Sequence, residues 1–211
     1  MTMQQICIFL MVVIFLVIMF LEVQKRTTVS KVEKYLSTGE YDRCLALLGG
    51  PVAHLMYAPY NRLFMLLNVY LAKGDDALAK STIDEMLALK LSNEQELALA
   101  IKAFAHFVDI EDKDAAHSML SLIEKDGPGK VAVVSRQTYE IFLCGSSRYV
   151  DEMEKELVSA QGIERARLCQ LLAAQYESRG NRELSERYRG QAQTEMEKAY
   201  GAQGSSAGHV Q

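Results

Sequence analysis

Four glycines recur at a fixed period along the chain. Gly39, Gly74, Gly145 and Gly180 are separated by 35, 71 and 35 residues, which correspond to one, two and one periods. Each glycine follows a large apolar or aromatic residue four places earlier and precedes a polar residue. Because glycine readily adopts the left-handed conformation that ends a helix, this pattern predicts helical hairpins in which the second helix begins just after the glycine.

The pattern predicts an all-α fold, an α-solenoid of roughly five hairpins, because each hairpin leaves an apolar face that only a neighbouring hairpin can cover. The predicted helix pairs are 26–38 with 40–48, 58–72 with 76–89, 93–109 with 113–124, 130–144 with 147–159, and 163–179 with 182–199. The third hairpin lacks a glycine near position 110. Phe107, Glu111-Asp112 and Ala116 complete the pattern there only if the register slips by a residue or two.

The hairpins resemble the tetratricopeptide-repeat family over most of residues 28–200. The resemblance is clearest at two sets of positions: Leu63, Leu66, Tyr70, Gly74, Asp75, Ala79 and Ile83, and then Leu172, Ala173, Tyr176, Gly180, Asn181, Ser185 and Tyr188. Lys31 and Gln137 depart from it, since the family prefers Leu at these positions. The resemblance implies protein recognition, with the first helix of each hairpin lining a concave groove for an extended peptide or a partner helix.

The family's groove positions map onto three of the hairpins. The candidate groove residues are Asn61, Phe64, Met65, Asn68, Leu71, Ile101, Lys102, Ala105, Arg167, Gln170, Leu171, Ala174 and Glu177. For the apolar members, packing against the next hairpin is the alternative to contact with a partner. The set of basic and Asn residues with which some family members bind chaperone C-termini is matched only at Asn68 and Lys102, so we do not expect that ligand.

An uninterrupted apolar segment occupies residues 6–21, and no charge precedes Glu22. Sixteen residues of helix span roughly 24 Å against a hydrocarbon core of roughly 30 Å, so flanking residues must help to cross it. A cleaved signal peptide would need a basic region before the segment and small residues after it, and the chain has neither. A buried helix of a soluble domain is the other alternative.

These features predict three parts of the chain. Residues 1–25 form a single transmembrane anchor, residues 26–200 form the repeat domain with little linker between them, and residues 201–211 form a flexible tail. Lys25, Arg26, Lys31 and Lys34 follow the apolar segment and no basic residue precedes it. Because positive flanks stay in the cytoplasm, the repeat domain is predicted to be cytoplasmic.

The topology leaves two functions open. The first is an adaptor or scaffold that gathers a protein or peptide partner at the membrane, and the alternative is an extracytoplasmic factor that assists secretion or envelope assembly. No motif separates a bacterial plasma membrane from a mitochondrial outer membrane, and we take the bacterial membrane as the working assignment.

No residue pattern typical of a catalytic, cofactor or metal site is found. The histidines, which show no metal-binding spacing, are His54, His106, His117 and His209. The cysteines, which form no CxxC pair and which we interpret as small core residues, are Cys7, Cys44, Cys144 and Cys169. The segment 127–130 (GPGK) lacks the full spacing of a phosphate loop and is predicted to be a turn. We therefore expect no enzyme, no cofactor and no small-molecule substrate. An enzyme whose site residues are not contiguous in the sequence is the third alternative.

The charge of the chain argues against a nucleic-acid partner. The net charge is −4 and the pI is about 5.6, whereas proteins that bind nucleic acid usually carry a basic surplus. Arginines gather towards the C-terminus, but glutamates alternate with them, which is typical of a solvated helix face.

Overall fold

The computed structural model describes residues 3–206. In the first 21 residues it describes the side chains of Met11, Phe15, Leu16, Met19 and Phe20, and from residue 22 to residue 199 it describes every side chain. Throughout the described range the regular structure is α-helical, which confirms the predicted all-α class. The helices are α1 (Met3–Ser37), α2 (Tyr41–Gly49), α3 (Pro51–Met56), α4 (Pro59–Lys73), α5 (Asp76–Leu87), α6 (Asn93–Asp109), α7 (Lys113–Asp126), α8 (Gly129–Phe142), α9 (Val150–Leu157), α10 (Gly162–Ser178) and α11 (Arg182–Ser206).

The four periodic glycines all take the left-handed conformation. Their φ angles are +72° at Gly39, +72° at Gly74, +65° at Gly145 and +73° at Gly180. At Gly74 the chain reverses through a backbone hydrogen bond, in which the amide of Asp75 donates to the carbonyl of Tyr70 at 3.0 Å. The spacing therefore marks the helix–helix turns, as the sequence predicts.

The third hairpin makes the same turn without glycine. Glu111 has φ of +57°, and the described residues include no other non-glycine residue with positive φ. The amide of Asp112 donates to the carbonyl of Phe107 at 2.9 Å, which matches the bond at Gly74. The Asp112 carboxylate then caps α7 by accepting from the amide of Ala115 at 3.1 Å. The predicted register slip is thus confirmed, and a glutamate occupies the glycine position.

The chain divides into two compact units, residues 1–99 and 100–211. In the first unit α2 packs on α1, α3 and α4, and α4 packs on α5. Leu48, Leu67, Ile83 and Met86 are fully buried in this unit. The short helix α3 was not anticipated from the sequence, which indicates only a break at residues 49–51; Pro51 begins this helix because its fixed φ suits the first helical turn.

In the second unit α10 packs against α8, α9 and α11, and α7 packs on α8. Its core joins residues of four helices: Ile141, Val150, Met153, Leu157, Leu168, Cys169, Leu171, Leu172 and Ala192. Helix α11 reaches Ser206 and so enters the segment predicted as a tail. Residues 207–211 of that predicted tail lie outside the described range.

The predicted transmembrane anchor, residues 1–25, finds no support in the structure. Within the part of the chain that is described, no helix is long and apolar enough to cross a membrane. Much of the apolar segment behind this prediction lies outside the residues whose side chains are described. The backbone does show that one helix, α1, joins this segment directly to the first hairpin.

Candidate functional site

A cleft of about 510 Å³ opens in the second unit between the last turns of α8 and α10. Its apolar lining consists of Ile141, Phe142, Ala173 and Ala174. Its polar lining consists of Glu111, Gln170, Glu177, Ser178 and Arg189. We refer to this surface, with Gly145 completing it, as the α8–α10 cleft.

A smaller cavity of about 270 Å³ adjoins the cleft. It is lined by Ala105, Val108 and Asp109 of α6, and it shares Glu111 and Phe142 with the α8–α10 cleft. The two cavities therefore lie side by side on the surface formed by α6, α8 and α10, with Glu111 and Phe142 between them.

Two backbone turns shape this surface. Gly145, in the turn just after α8, has positive φ, and Phe142, the last residue of that helix, remains 45% exposed. Glu111 makes the corresponding turn after α6, which places this residue in the lining of both cavities. Both turns are consequences of the repeat, so the same pattern that folds the hairpins also forms the rim of the cleft.

The rim carries more acid than base. The Arg189 guanidinium donates to the Glu177 carboxylate across the edge of the cleft. Of the other acidic lining residues, neither Asp109 nor Glu111 makes an ion pair within the described part of the chain. An apolar floor with an excess of carboxylates at its rim favours a ligand that is apolar and positively charged.

Buried polar groups fix the helix that forms one wall of the cleft. The side chain of Gln175 is fully buried; its oxygen accepts from the amide of Tyr149 at 3.0 Å, and its nitrogen donates to the carbonyl of Leu171 at 3.3 Å. The bond from Tyr149 joins α10 to the turn before α9, and the bond to Leu171 lies within α10. A satisfied buried amide rigidifies its surroundings, because any shift would leave polar groups unpaired.

A tyrosine pair closes the last hairpin. The hydroxyls of Tyr176 and Tyr188 both donate to the same oxygen of Glu154, at 2.7 and 3.0 Å. Burial, together with this hydrogen bond to Glu154, raises the pKa of Tyr188 to about 12. The hydrogen bond to Glu154 and burial also raise the pKa of Tyr176.

Several of the groove residues predicted for the second unit lie on this concave surface. Gln170, Ala174 and Glu177 line the α8–α10 cleft, and Ala105 lines the adjoining cavity. Two other predicted groove residues lie on α6: Ile101 is exposed and Lys102 is half-buried, and neither lines these two cavities.

Two predicted groove residues of α10 lie elsewhere. Leu171 is buried in the core, in agreement with the alternative that apolar members pack internally. Arg167 donates to Glu164 at 2.8 Å, and this bond lowers the pKa of Glu164. Arg167 and Glu164 line a separate cavity of about 470 Å³ near the start of α8 and α10, and their opposite charges compensate each other there.

The groove residues predicted in the first unit all lie on α4. Asn61 is exposed, whereas Phe64, Met65, Asn68 and Leu71 are half-buried. The ring of Phe64 stacks on that of Tyr60 at a centroid distance of 5.7 Å. These residues belong to the first compact unit, whereas the α8–α10 cleft belongs to the second.

Three residues of the cleft were not predicted as site residues from the sequence: Phe142, Glu111 and Arg189. The signal that could have indicated Phe142 and Glu111 is their position in the sequence. Phe142 precedes the turn at Gly145, and Glu111 occupies the place of the missing glycine in the third hairpin. Arg189 gives no such signal, because its place on the rim depends on how α11 packs on α10.

Histidine and cysteine side chains contribute little to this surface. Among the described residues, no three His, Cys, Asp or Glu side chains are arranged to hold a metal ion. Cys44 and Cys169 are buried thiols, as expected, but Cys144 is exposed, so the interpretation of all cysteines as core residues is wrong there. Cys7 lies outside the residues with described side chains. Cys144 is exposed because it lies beyond the end of α8, next to the Gly145 turn.

The fold defines the chain as an α-helical repeat protein built from hairpins, and the glycine turns agree with the tetratricopeptide-like pattern in the sequence. No protein-family model and no curated protein matches the chain. Among solved structures, it is similar to one described as MamA MSR-1 C2, with 14% sequence identity and a TM-score of 0.48. The similarity covers 84% of this chain and 99% of that chain.

Proposed function

We propose that this chain is a non-catalytic adaptor at a membrane, and that its α8–α10 cleft binds a peptide or helix carrying apolar and basic side chains. The observation that carries this proposal is the combination of an apolar floor with an acidic rim. Phe142 and Ala174 supply the floor, while Asp109 and Glu111 supply the excess negative charge, since Arg189 compensates Glu177.

The dimensions of the surface support a peptide ligand. A cavity of about 510 Å³ beside one of about 270 Å³ is large enough for a few side chains of a bound segment. Helices that bind in grooves present apolar anchors at intervals of three and four residues, with charged residues beside them. An apolar side chain against Phe142 and a neighbouring Lys or Arg beside Glu111 would satisfy both parts of the surface.

The proposal can be tested by selecting peptides from a random displayed library against the full chain in lipid nanodiscs. We expect the enriched peptides to combine apolar residues at helical spacing with Lys or Arg. An Ala174→Arg variant fills the cleft and adds positive charge, so it should weaken binding at least about tenfold, or about 1.4 kcal/mol.

The matched control is Ala115→Arg, since Ala115 is also half-buried but lies on α7 away from the lining of the cleft. This variant should bind the selected peptides as the unmodified chain does. Enriched peptides that bind Ala174→Arg with unchanged affinity, or that carry an acidic consensus, would contradict the proposed site.

The tether in this proposal is the apolar segment of residues 6–21, and the cytoplasmic orientation follows from Lys25 and Arg26 behind it. Protease accessibility of a C-terminal tag in intact cells, spheroplasts and lysed cells tests this topology. Protection in cells and spheroplasts with digestion after lysis agrees with a cytoplasmic adaptor. Digestion in spheroplasts would place the repeats outside the cytoplasm.

A further inference from the structure

Helix α3 presents apolar side chains to solvent. Leu55 is 86% exposed and Val52 is 65% exposed, although α3 is only six residues long. Ala53 on the same helix is buried, so α3 is fixed to the first unit by one face. Two large aliphatic side chains on the opposite face of such a short segment form an apolar surface that the unit itself does not cover.

Two hydrogen bonds join the segments on either side of α3 to α1. The Cys44 thiol of α2 donates to the carbonyl of Val32 at 3.5 Å, and the Tyr57 hydroxyl, just after α3, donates to the carbonyl of Lys25 at 2.9 Å. As the chain advances from Cys44 to Tyr57, its contacts on α1 move back from Val32 to Lys25, about 10 Å along the helix axis. The chain therefore runs towards the apolar end of α1.

The level of Lys25 is where the apolar segment of the sequence ends. Leu21 is the last residue of that segment, and only about 6 Å of helix separates it from Lys25. Lys25 and Arg26 lie at the same level, and Glu22 pairs with Lys25 at 3.8 Å, so these three residues leave one net positive charge there. Lysine and arginine at the end of a membrane segment contact anionic headgroups. Tyr57 lies there too, and tyrosine favours the boundary between headgroups and acyl chains.

We infer that α3 is a second membrane contact, in which Val52 and Leu55 insert into the lipid surface beside the point where α1 leaves it. This inference rests on the proposed tether, because α1 must bring α3 to the bilayer. The occupant of the α3 surface is therefore lipid, and the charge at Lys25 and Arg26 favours an anionic membrane. A short segment held at the interface by two apolar side chains would restrict how the first unit tilts on its tether.

The chain contains no tryptophan, which allows a direct test with single-tryptophan variants. Leu55→Trp reports on α3, and Phe15→Trp, at an exposed position of α1, reports on the tether. Val158→Trp is the matched control, since Val158 is also 86% exposed but lies at the end of α9. All three are made in the full chain and reconstituted in vesicles of phosphatidylglycerol and phosphatidylcholine, with lipids brominated at shallow or deep acyl positions.

We expect a blue-shifted emission for Leu55→Trp, with stronger quenching by shallow than by deep bromines. Val158→Trp should remain red-shifted and unquenched, which also controls for the preference of tryptophan itself for interfaces. Quenching of Phe15→Trp without quenching of Leu55→Trp would overturn the α3 contact and leave the tether intact. Absence of quenching in both would overturn the tether as well.

Two further outcomes would also overturn the inference. A blue shift of Leu55→Trp without quenching by any brominated lipid would show that protein, such as a second copy of the chain, covers α3. Equal quenching of Leu55→Trp and Val158→Trp would indicate general adsorption of the chain to the vesicles.

Discussion

The rings of Tyr176 and Tyr188 stack with their centroids 5.6 Å apart and an interplanar angle of 12°. One belongs to α10 and the other to α11, so the pair joins the two helices of the last hairpin. Both positions belong to the repeat pattern in the sequence. The pair therefore links the sequence period to the packing that holds α10, and α10 forms one wall of the α8–α10 cleft.

Burial of Tyr188 and its hydrogen bond to Glu154 give the second unit a pH-dependent stability. The folded pKa of about 12 lies above the ordinary value of 10.0, so this contribution is complete below pH 10 and disappears as the pH rises towards 12. At neutral pH, Tyr188→Phe should lower the free energy of unfolding by about 1 kcal/mol because it removes one hydrogen bond.

This prediction is checked by urea denaturation of the unmodified chain and the variant at several pH values. The difference between them should shrink above pH 10. Tyr41→Phe serves as the control, since no hydrogen bond of the Tyr41 hydroxyl is found within the described part of the chain. A difference that stays constant with pH would show that the shift in pKa does not contribute to stability.

Glu111 provides a test of backbone strain at the edge of the cleft. A non-glycine residue in the left-handed conformation costs about 1–2 kcal/mol, and Glu111→Gly removes this cost. Glycine also increases the conformational entropy of the unfolded chain, which offsets part of the gain. We therefore expect Glu111→Gly to raise the free energy of unfolding by up to about 1 kcal/mol. Glu111→Ala removes the same carboxylate but keeps the Cβ atom and should give no such gain. Both should weaken binding of a basic peptide, which separates the effect on stability from the effect on charge.

Gly180 and Gly190 separate backbone conformation from packing. A Cβ atom added at either position would meet no atom within 4 Å, but only Gly180 has positive φ. Gly180→Ala should therefore lower the free energy of unfolding by about 1–2 kcal/mol. Gly190→Ala, within α11, should raise it by about 1 kcal/mol through helix propensity. Thermal or chemical unfolding followed by circular dichroism measures both, and changes of the same sign would refute the account of the turn.

Gln175 tests the buried polar network behind the cleft. Gln175→Leu keeps a side chain of similar size but leaves the amide of Tyr149 without its acceptor, so it should cost about 1–3 kcal/mol. Gln193→Leu, at an exposed position of α11, should change stability by less than about 0.5 kcal/mol. Hydrogen exchange at Tyr149 should accelerate in the first variant alone. Unchanged protection there would mean that another group holds this turn.

The sequence predicts the hairpins well because helix ends impose local requirements. A left-handed turn favours glycine whatever surrounds it, so the period of Gly39, Gly74, Gly145 and Gly180 is sufficient to place the turns. The same pattern locates the third turn, where Asp112 caps α7 and compensates for the missing glycine by fixing the chain that follows Glu111.

The features that the sequence does not predict depend on packing between distant segments. Helix α3 is only six residues long, so the sequence does not distinguish it from a loop between α2 and α4. The hydrogen bond from Tyr57 to Lys25 helps to fix its position. Arg189 reaches the cleft only because α11 packs on α10. The mapping of groove positions likewise assumes one continuous array, whereas the chain divides into two compact units within α6.

The central claim is that the α8–α10 cleft binds a partner, and site-specific photo-crosslinking in cells tests it most directly. The photoreactive residue is placed at Phe142, on the floor of the cleft, and in a parallel chain at Val158, outside it. The account predicts a discrete adduct from Phe142 alone, mapped to a partner segment with apolar and basic residues, and lost when Ala174→Arg is added to the same chain. An adduct that persists with Ala174→Arg, or that forms equally from Val158, would contradict the account.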